Sequence, residues 1–493
     1  MKKSKTPSYI AEYELQPEAS GGFAVLHHAE NAAVSVYNLC LKEALRRMHE
    51  VTNDPEYIAL CKEYKRSKDN KEDIKDLKPM FDVIHNSYGW TEYDMHSYAG
   101  TIRAKYICIG SAECQKLATR AFQAVDKIRL HKAKRVKFLS HARGTSIEGK
   151  SHTSMLHFNR DRLTVSLGRR HEFALIVPRN DQYLMQCLQD RVKYIRILKR
   201  TIRDKERWFA QLVIEGIPPQ KEHTFGEGTQ GLDEGTSTIA SVTDDSAMLV
   251  ELAPECRPNE KKIRRMQRAM ERSRRAVNPE NYNNNGTCKK GRHKWKKSKR
   301  YLLLKKKLAE IKRRQAVYRK QSHCRLANEL IARGADIRVE KMNIKGLAKH
   351  SRQNTVNHNN GRMQSKKRYG KTIANRAPAM LISIIDQKLH QRGKAILYVN
   401  TWTVKASQYN PLDGSYQKKD LKDRMILLGK DASGQNIIVQ RDMLSAYLIQ
   451  HVSADGTHIK AASAFKNFAN FKRNQDEAVA RLKQMGQLAW YVN

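Results

Sequence analysis

The sequence predicts a multidomain α+β protein, and three observations lead to that fold class. The chain has 493 residues, whereas a single hydrophobic core rarely grows past about 250 to 300 residues. Helical spacing of apolar residues dominates positions 31–130, and short alternating strands dominate 131–224. From position 225 onward, strand-like runs alternate with helical ones.

The N-terminal half predicts a β-barrel or sandwich that carries an inserted helical lobe. YIAEYEL alternates like a strand, and HHAENAAVSVYNLCLKEALRRMHEV has the i, i+3, i+4 spacing of an amphipathic helix. The charged stretch 62–78 predicts a solvated helix or loop. Because strands stand on both sides of the lobe, we expect residues 1–30 and 131–224 to fold together around the helical segment 31–130.

The charge of the chain indicates a polyanionic partner. Lys and Arg number 93 against 50 Asp and Glu, a formal charge of +43 that is spread along the sequence. Nucleic acid is the usual partner of such a protein. The alternative is a basic ribosomal or histone-like protein that only coats RNA or DNA.

Cysteine usage and hydropathy indicate the compartment. The eight cysteines include no CxxC pair, so neither a disulfide framework nor a local zinc site is legible. The N-terminus lacks the apolar stretch of a signal peptide, and no apolar run approaches the ~18 residues of a membrane span. We therefore expect a soluble, cytoplasmic protein.

A glycine-rich stretch at 221–231 predicts a linker. It matches GxGxxG at Gly226, Gly228 and Gly231, but a dinucleotide fingerprint needs a helix after the last glycine, and here LDEG and β-type residues follow. We expect GLDEGTSTIASVTDD to begin a β-hairpin whose first strand carries Asp233 at its start. No GxxxxGK[ST] phosphate loop occurs, so nothing supports NTP hydrolysis.

The segment Lys261–Lys320 predicts a nucleic-acid surface. It holds 24 Lys or Arg against 3 Glu. Its second half predicts a helix with Leu304, Leu308, Ile311 and Tyr318 facing inward and a basic face along a phosphate backbone. A merely solvated charge run is the alternative, although three Glu cannot neutralise this many cations.

Three acids occupy similar places in the predicted elements. Asp233 lies on a strand, Glu340 at the end of a later strand, and Asp442 in the first turn of a helix that follows a strand. A buried carboxylate requires a cation, and hard divalent ions prefer oxygen ligands. Clustered carboxylates repel one another unless a metal neutralises them. The alternative is that each acid makes an ordinary surface or ion-pair contact.

The order of these motifs resembles the TnpB family of transposon-encoded RNA-guided DNA endonucleases and their descendants, the miniature type V CRISPR effectors. The likeness rests on GLDEGTSTIASV, LANELIARGADIRVEKMNIKGL, IANRAPAMLISIIDQKLHQRGKAILYVNTWTVKASQ and RDMLSAYLI. Upstream, QKLATRAFQAVDKIRLHKAKRVKF and DKERWFAQLVIEG look like the wedge region of that family. Together these segments span most of residues 100–450.

The resemblance implies an RNase H-like (RuvC) α/β nuclease domain, split between residues 225–408 and 436–493. It also implies an N-terminal β-barrel wedge domain (1–30 and 131–224) and an inserted helical recognition lobe (31–130). By motif match, Asp233, Glu340 and Asp442 would be catalytic acids that bind two Mg²⁺ ions, which Mn²⁺ can replace.

The implied partners are a guide RNA, target double-stranded DNA and the RNA–DNA heteroduplex, with no membrane. Base pairing would supply sequence specificity, and the basic protein would accept the heteroduplex by shape. The alternative function is a nuclease-inactive RNA-guided DNA-binding protein that acts as a repressor or targeting module. The sequence does not fix the number of protein copies per guide, so a homodimer is among the options.

This chain departs from the family pattern in two places. Residues 409–435, the implied target-nucleic-acid-binding insert, lack the usual zinc cysteines, so we expect no zinc there and a segment that is mobile or held by hydrophobic contacts. Leu444, Ser445 and Ala446 replace the usual Asn-Ala-Ala run after the last acid. NHNNGR at 357–362 lacks the partners of a histidine nuclease site, and we interpret it as a mobile loop over the RuvC site.

Overall fold

A computed structural model gives the fold and divides the chain into two compact units, Met1–Gln220 and Lys221–Asn493. The NHNNGR segment lies outside the described residues. Those residues are 6–19, 21–70, 72–152, 154–219, 224–256, 259–348, 354–356, 363–365, 369–420 and 422–492.

The first unit contains a seven-stranded antiparallel sheet that is nearly closed. The strand order is β2-β6-β7-β1-β5-β4-β3, and β3 also contacts β6. The N-terminal strand β1 precedes the helices in the sequence, but it pairs with β7 and β5, which follow them. The strands are β1 (Ser8–Leu15), β2 (Ile147–Glu148), β3 (Leu156–Asn159), β4 (Thr164–Leu167), β5 (His171–Ile176), β6 (Val192–Ile202) and β7 (Lys205–Glu215).

Helices of the first unit share a hydrophobic core with this sheet. Leu26 and Leu41 of the first helix lie in one core with Tyr13 and Trp208 of the strands. Within the charged stretch 62–78, residues 62–69 end the second helix and residues 77–78 begin the third. The helices are α1 (Ala24–Asn53), α2 (Pro55–Asp69), α3 (Leu77–Ser87), α4 (Glu92–Arg103), α5 (Ser111–Arg129) and α6 (Gln182–Cys187).

The second unit is built on a five-stranded sheet with the order β10-β9-β8-β11-β14. Strand β9 is antiparallel to both of its neighbours, whereas β8, β11 and β14 run parallel, so their carboxyl ends meet at one edge. Two hairpins, β12-β13 and β15-β16, stand apart from this sheet. The strands are β8 (Thr229–Glu234), β9 (Thr238–Val242), β10 (Ala247–Glu251), β11 (Asp336–Glu340), β12 (Asn354–Val356), β13 (Met363–Ser365), β14 (Leu397–Val399), β15 (Met425–Lys430) and β16 (Asn436–Gln440).

Helices cover both faces of the five-stranded sheet. On one face α8 and α11 pack Leu330 and Leu381 into a core with Leu232. On the other face α13 and α15 pack Ala446 and Phe471 with Ala240. The helices are α7 (Asn259–Val277), α8 (Lys299–Arg333), α9 (Ile344–Ala348), α10 (Gly370–Arg376), α11 (Pro378–His390), α12 (Thr401–Val404), α13 (Arg441–Gln450), α14 (Ala461–Lys466), α15 (Phe468–Gln484) and α16 (Ala489–Val492).

The structure corrects the prediction for Asp233. This residue does not start the first strand of the β9-β10 hairpin, because it lies near the carboxyl end of a separate strand, β8. The amide of Gly235 donates to the carbonyl of Thr238 and forms the turn between the two strands. The linker predicted for residues 221–231 is too long, because Gln230 and Gly231 are buried residues of β8.

The inward stripe predicted for α8 is also wrong at one position. Leu308 is buried, but the Tyr318 side chain is 45% exposed. Gln315 and His323 are buried instead. The buried face of α8 therefore differs in part from the predicted stripe, because only part of this 35-residue helix packs on the sheet.

Residues 409–420 and 422–435 are held by side-chain packing. Tyr409, Ile426 and Leu428 are buried in the core that includes α13. The Asn410 Nδ2 donates to the carbonyl of Leu428 at 3.1 Å, and the rings of Tyr409 and Tyr416 lie 5.0 Å apart. Across the described ranges of the chain, no helix has both the length and the apolar character needed to cross a membrane.

Candidate active site

Asp233 and Glu340 lie side by side at the carboxyl ends of neighbouring parallel strands. Strands β8 and β11 pair with Val339 opposite Leu232, so the next residue on each strand places Glu340 opposite Asp233. Residues opposite each other on adjacent strands project from the same face. In open α/β sheets, ligands bind beyond the carboxyl ends of the strands.

Gly231 lets α13 approach this face of the sheet directly. A Cβ atom at Gly231 would overlap the carbonyl oxygen of Ala446 and the amide nitrogen of Gln450. Glycine has no Cβ, so it permits this contact between strand and helix backbones. The contact fixes the height of α13 above the strands.

Arg338 holds the other end of α13. It shares a face with Glu340, and its Nη1 donates to the carbonyls of Gln450 and Val452 at the end of the helix. A cation at a helix C-terminus also interacts favourably with the helix dipole. With its C-terminal turn held in this way, α13 directs its first turn, which carries Asp442, toward the strand ends.

Electrostatics show that the three acids are close neighbours. Burial, followed by the charges of Asp442 and Glu340, raises the pKa of Asp233 well above its ordinary value, and Arg441 opposes this shift. Burial also raises the pKa of Glu340. Asp233, Glu340 and Asp442 are each partly exposed as whole residues. Gathering these carboxylates costs free energy that a bound cation would recover.

Arg424 supplies a counter-charge to one of the acids. Its Nη1 lies 3.3 Å from both carboxylate oxygens of Asp442, and its guanidinium stacks over the Tyr491 ring, 4.6 Å from the centroid. The sequence reasoning missed Arg424. Pairing MILLGK with NIIVQ as a hairpin would have found it, because the Arg441 amide donates to the Arg424 carbonyl one step beyond the β15-β16 pairing.

The donor set suits a hard divalent cation. Asp233, Glu340 and Asp442 offer only carboxylate oxygens, the ligands that Mg²⁺ prefers. In the part of the chain that the structure describes, no three His, Cys, Asp or Glu side chains are already arranged around a metal position. The ion pair with Arg424 is consistent with this, because it engages the carboxylate of Asp442.

Glu234 is not a fourth member of this site. It follows Asp233 on β8 and projects from the opposite face, where its side chain is buried and its Oε1 has no hydrogen-bond partner. Burial raises the pKa of Glu234 to about 7. The alternation of strand side chains thus separates two adjacent acids into one that faces the site and one that faces the core.

Two of the solved structures that resemble this chain show low similarity to it. No protein-family model and no curated protein sequence matches the chain. A cryo-EM structure of a Cas12f1-sgRNA-target DNA complex is similar over 91% of this chain and 99% of that chain, with a TM-score of 0.44 and 12% identity. A cryo-EM structure of a CRISPR-Cas12f ternary complex covers 87% and 81%, with a TM-score of 0.26 and 10% identity. Both TM-scores lie below 0.5, so neither likeness establishes a shared fold.

Proposed function

We propose that this chain is a guide-RNA-dependent DNA endonuclease with a RuvC-like, RNase H-type site. The observation that carries the proposal is the convergence of three acids, Asp233 and Glu340 from adjacent strand ends and Asp442 from the first turn of α13. Two Mg²⁺ ions bound there would activate a water and stabilise the leaving oxygen of a phosphodiester.

The residues of the chain would hold and orient the reacting groups. Asp233 and Glu340 stand on central strands, which place carboxylates more rigidly than loops do. The contact of Gly231 with α13 fixes Asp442 relative to both. Arg424 orients the carboxylate of Asp442 when no other cation is near, because its Nη1 lies within ion-pair distance of it.

The guide RNA and the DNA target are inferred from the charge of the chain and from the resemblance of its motif order to a known family. A formal charge of +43 suits a protein that holds two kinds of polyanion at once. The motif order that resembles the TnpB family supplies the RNA-guided part of the proposal. In such a protein, the guide reads the target by base pairing and the protein contacts the backbone.

A nuclease-inactive RNA-guided DNA-binding protein is the second candidate. The observation that favours it is the ion pair between Arg424 and Asp442, since an acid that is neutralised by an arginine needs no metal. The repulsion at Asp233 favours the nuclease, because burial and the charges of Asp442 and Glu340 raise the pKa of Asp233 well above its ordinary value even though Arg441 opposes them.

The test begins with the RNA. The protein is expressed together with its flanking DNA, purified at high salt, and the bound RNA is sequenced. We expect one abundant RNA with a constant scaffold and a variable end. A broad mixture of cellular RNA would contradict the guided function.

Cleavage then separates the two candidates. A plasmid that matches the variable end is incubated with the complex in Mg²⁺ or in EDTA. We expect cutting in Mg²⁺ only, and none by the Asp233→Ala complex. Target binding without cutting in any divalent ion would support the inactive candidate.

A further inference from the structure

A basic loop joins α7 to α8 and contains none of the three acids of the candidate site. We call residues 278–298 the basic knuckle. Between Glu280 and Glu310 the chain has 11 Lys or Arg and no acid. Eight of these cations stand exposed on the knuckle and the first turn of α8, namely Lys289, Lys290, Arg292, Lys294, Lys296, Lys297, Lys299 and Arg300.

Two buried asparagines hold the knuckle in one conformation. The Asn278 side chain donates to the carbonyl of Lys296 at 3.0 Å and accepts from the amide of the same residue at 2.7 Å. Asn281 Nδ2 donates to the carbonyl of Lys294 at 2.9 Å. Both asparagine residues are almost fully buried. The backbone beneath these lysines is therefore fixed before any ligand arrives.

Aromatic packing braces the same segment from the inside. The Arg274 guanidinium of α7 lies 4.6 Å from the centroid of the Trp295 ring, and its Nε donates to the Tyr282 hydroxyl at 2.8 Å. Trp295 turns inward, whereas Lys294 and Lys296 on either side of it are exposed. The two lysines thus present their charges to solvent on either side of this ring.

This arrangement indicates a phosphate ligand. Lysine and arginine side chains are cationic and donate hydrogen bonds but accept none, so anionic acceptors are their strongest partners. Clustered cations on a rigid loop repel one another, and a polyanion relieves that cost. The rings of Tyr282 and Trp295 are part-buried and pack against Arg274, so they are already engaged within the protein. Contacts to the nucleic-acid backbone, without base reading, are what remains.

We propose that the basic knuckle binds the phosphodiester backbone of a nucleic-acid duplex. The duplex could be the RNA scaffold or the DNA, which share this chemistry, and only that identity rests on the proposed function. The lysines at 294, 296 and 297 contact phosphates, and Asn278 and Asn281 are positioning residues that hold them in place.

The test compares two variants with equal charge changes. K294Q/K296Q/K297Q alters the knuckle, and K62Q/K65Q/K68Q removes three exposed lysines from α2. The RNA-free full-length protein is titrated in EDTA against a labelled RNA stem-loop and a labelled DNA duplex of the same sequence, from 50 to 200 mM KCl. Anisotropy gives the affinity at each salt concentration.

We expect the knuckle variant to lose about tenfold in affinity for at least one probe, and its slope of log K against log salt to fall by about 2 to 3. The α2 variant should lose much less. A loss with RNA only or DNA only identifies the ligand. An unchanged slope, or an equal loss in the α2 variant, would overturn the proposal.

A variant with no charge change tests the positioning role. Asn278→Ala removes the hydrogen bonds to Lys296, so we expect weaker binding to the same probe at an unchanged net charge. The triple Lys→Gln variant keeps the proposal testable if Asn278→Ala misfolds. Binding is measured in EDTA and cleavage in Mg²⁺, so the proposal for the knuckle and the proposed nuclease function can fail independently.

Discussion

The backbone of α13 at Ala446 lies directly against Gly231 of β8, with no room for a Cβ between them. This contact sets the position of Asp442 relative to Asp233. Asp442 lies on the same helix as Ala446, and Asp233 lies on the same strand as Gly231. The smallest side chain at Gly231 must move the helix.

Gly231→Ala is therefore expected to impair both stability and cleavage. The overlap is with backbone atoms, which cannot rotate away, and overpacking of this kind costs about 1 to 3 kcal/mol. Urea denaturation and plasmid cleavage measure the two effects. The control is Gly100→Ala on α4, where a Cβ meets open space and should stabilise the helix slightly. A Gly231→Ala protein that cuts at the wild-type rate would contradict the role of this contact.

Asp233→Asn is expected to raise the thermal stability of the metal-free protein while it removes cleavage. Burial and the neighbouring acids raise the pKa of Asp233 in the fold, so the folded state holds a proton that the unfolded state releases as pH rises. The protonated carboxyl stabilises the fold at low pH, and this stabilisation is lost as pH rises. The amide of Asp233→Asn is neutral at every pH, so the variant does not lose it.

Calorimetry at pH 8 with EDTA and with Mg²⁺ measures this effect. Mg²⁺ should raise the melting temperature of the wild type and leave that of Asp233→Asn nearly unchanged. Asp161→Asn, an exposed acid in the first unit, is the control and should change neither value. An equal Mg²⁺ response in the two acid variants would argue against a cation at Asp233.

The sequence predicts the elements of the second unit better than their boundaries. Glu340 at a strand end and Asp442 in the first turn of a helix follow from short apolar runs with clear punctuation. The predicted location of Asp233 was wrong by one strand, because β8 begins with Thr229, Gln230 and Gly231, and the Gln-Gly pair interrupts the strand signal of Thr229. All three pair with β11, and Gly231 also pairs with β9, and this long-range pairing is not encoded locally.

The contacts that complete the site are long-range. Arg424 meets Asp442 across a hairpin, and Arg338 caps α13 from a strand more than a hundred residues away. Periodicity describes which face of one element is apolar but not which element covers it. The close approach of α13 to Gly231 could not be predicted from the sequence either, because a glycine at this position is also typical of a linker.

Glu234 should make stability depend on pH near neutrality. Burial raises its pKa from 4.5 to about 7, so the folded state keeps a proton that the unfolded chain loses above about pH 4.5. The stabilisation is complete below pH 4.5 and is lost as pH rises to 7, by at most about 3 kcal/mol for a shift of this size.

Glu234→Gln removes this titration. We expect the difference in unfolding free energy between the variant and the wild type to grow from pH 5 to pH 7.5 in favour of the variant, measured by urea denaturation in EDTA. Glu227→Gln, an exposed acid just before β8, should show no such trend. A difference that stays constant over this range would mean that Glu234 is ionised in the fold throughout.

Arg424 should compete with divalent cations for Asp442. Its guanidinium lies 3.3 Å from both carboxylate oxygens, so a cation that binds Asp442 must share or displace this charge. Removing a positive charge beside a cation site strengthens cation binding. Arg424→Gln is therefore expected to lower the Mg²⁺ concentration that gives half of the thermal stabilisation, whatever its effect on cleavage.

A thermal-shift titration with Mg²⁺ measures this midpoint for the wild type and the variant. Arg392→Gln removes an arginine whose guanidinium lies over Phe225, and it serves as the control with an unchanged midpoint. If Arg424→Gln needed more Mg²⁺ than the wild type, the arginine would be supporting the bound state instead of competing with it. A guanidinium that first holds Asp442 in place and then yields to a metal would keep the acid ordered without blocking the site.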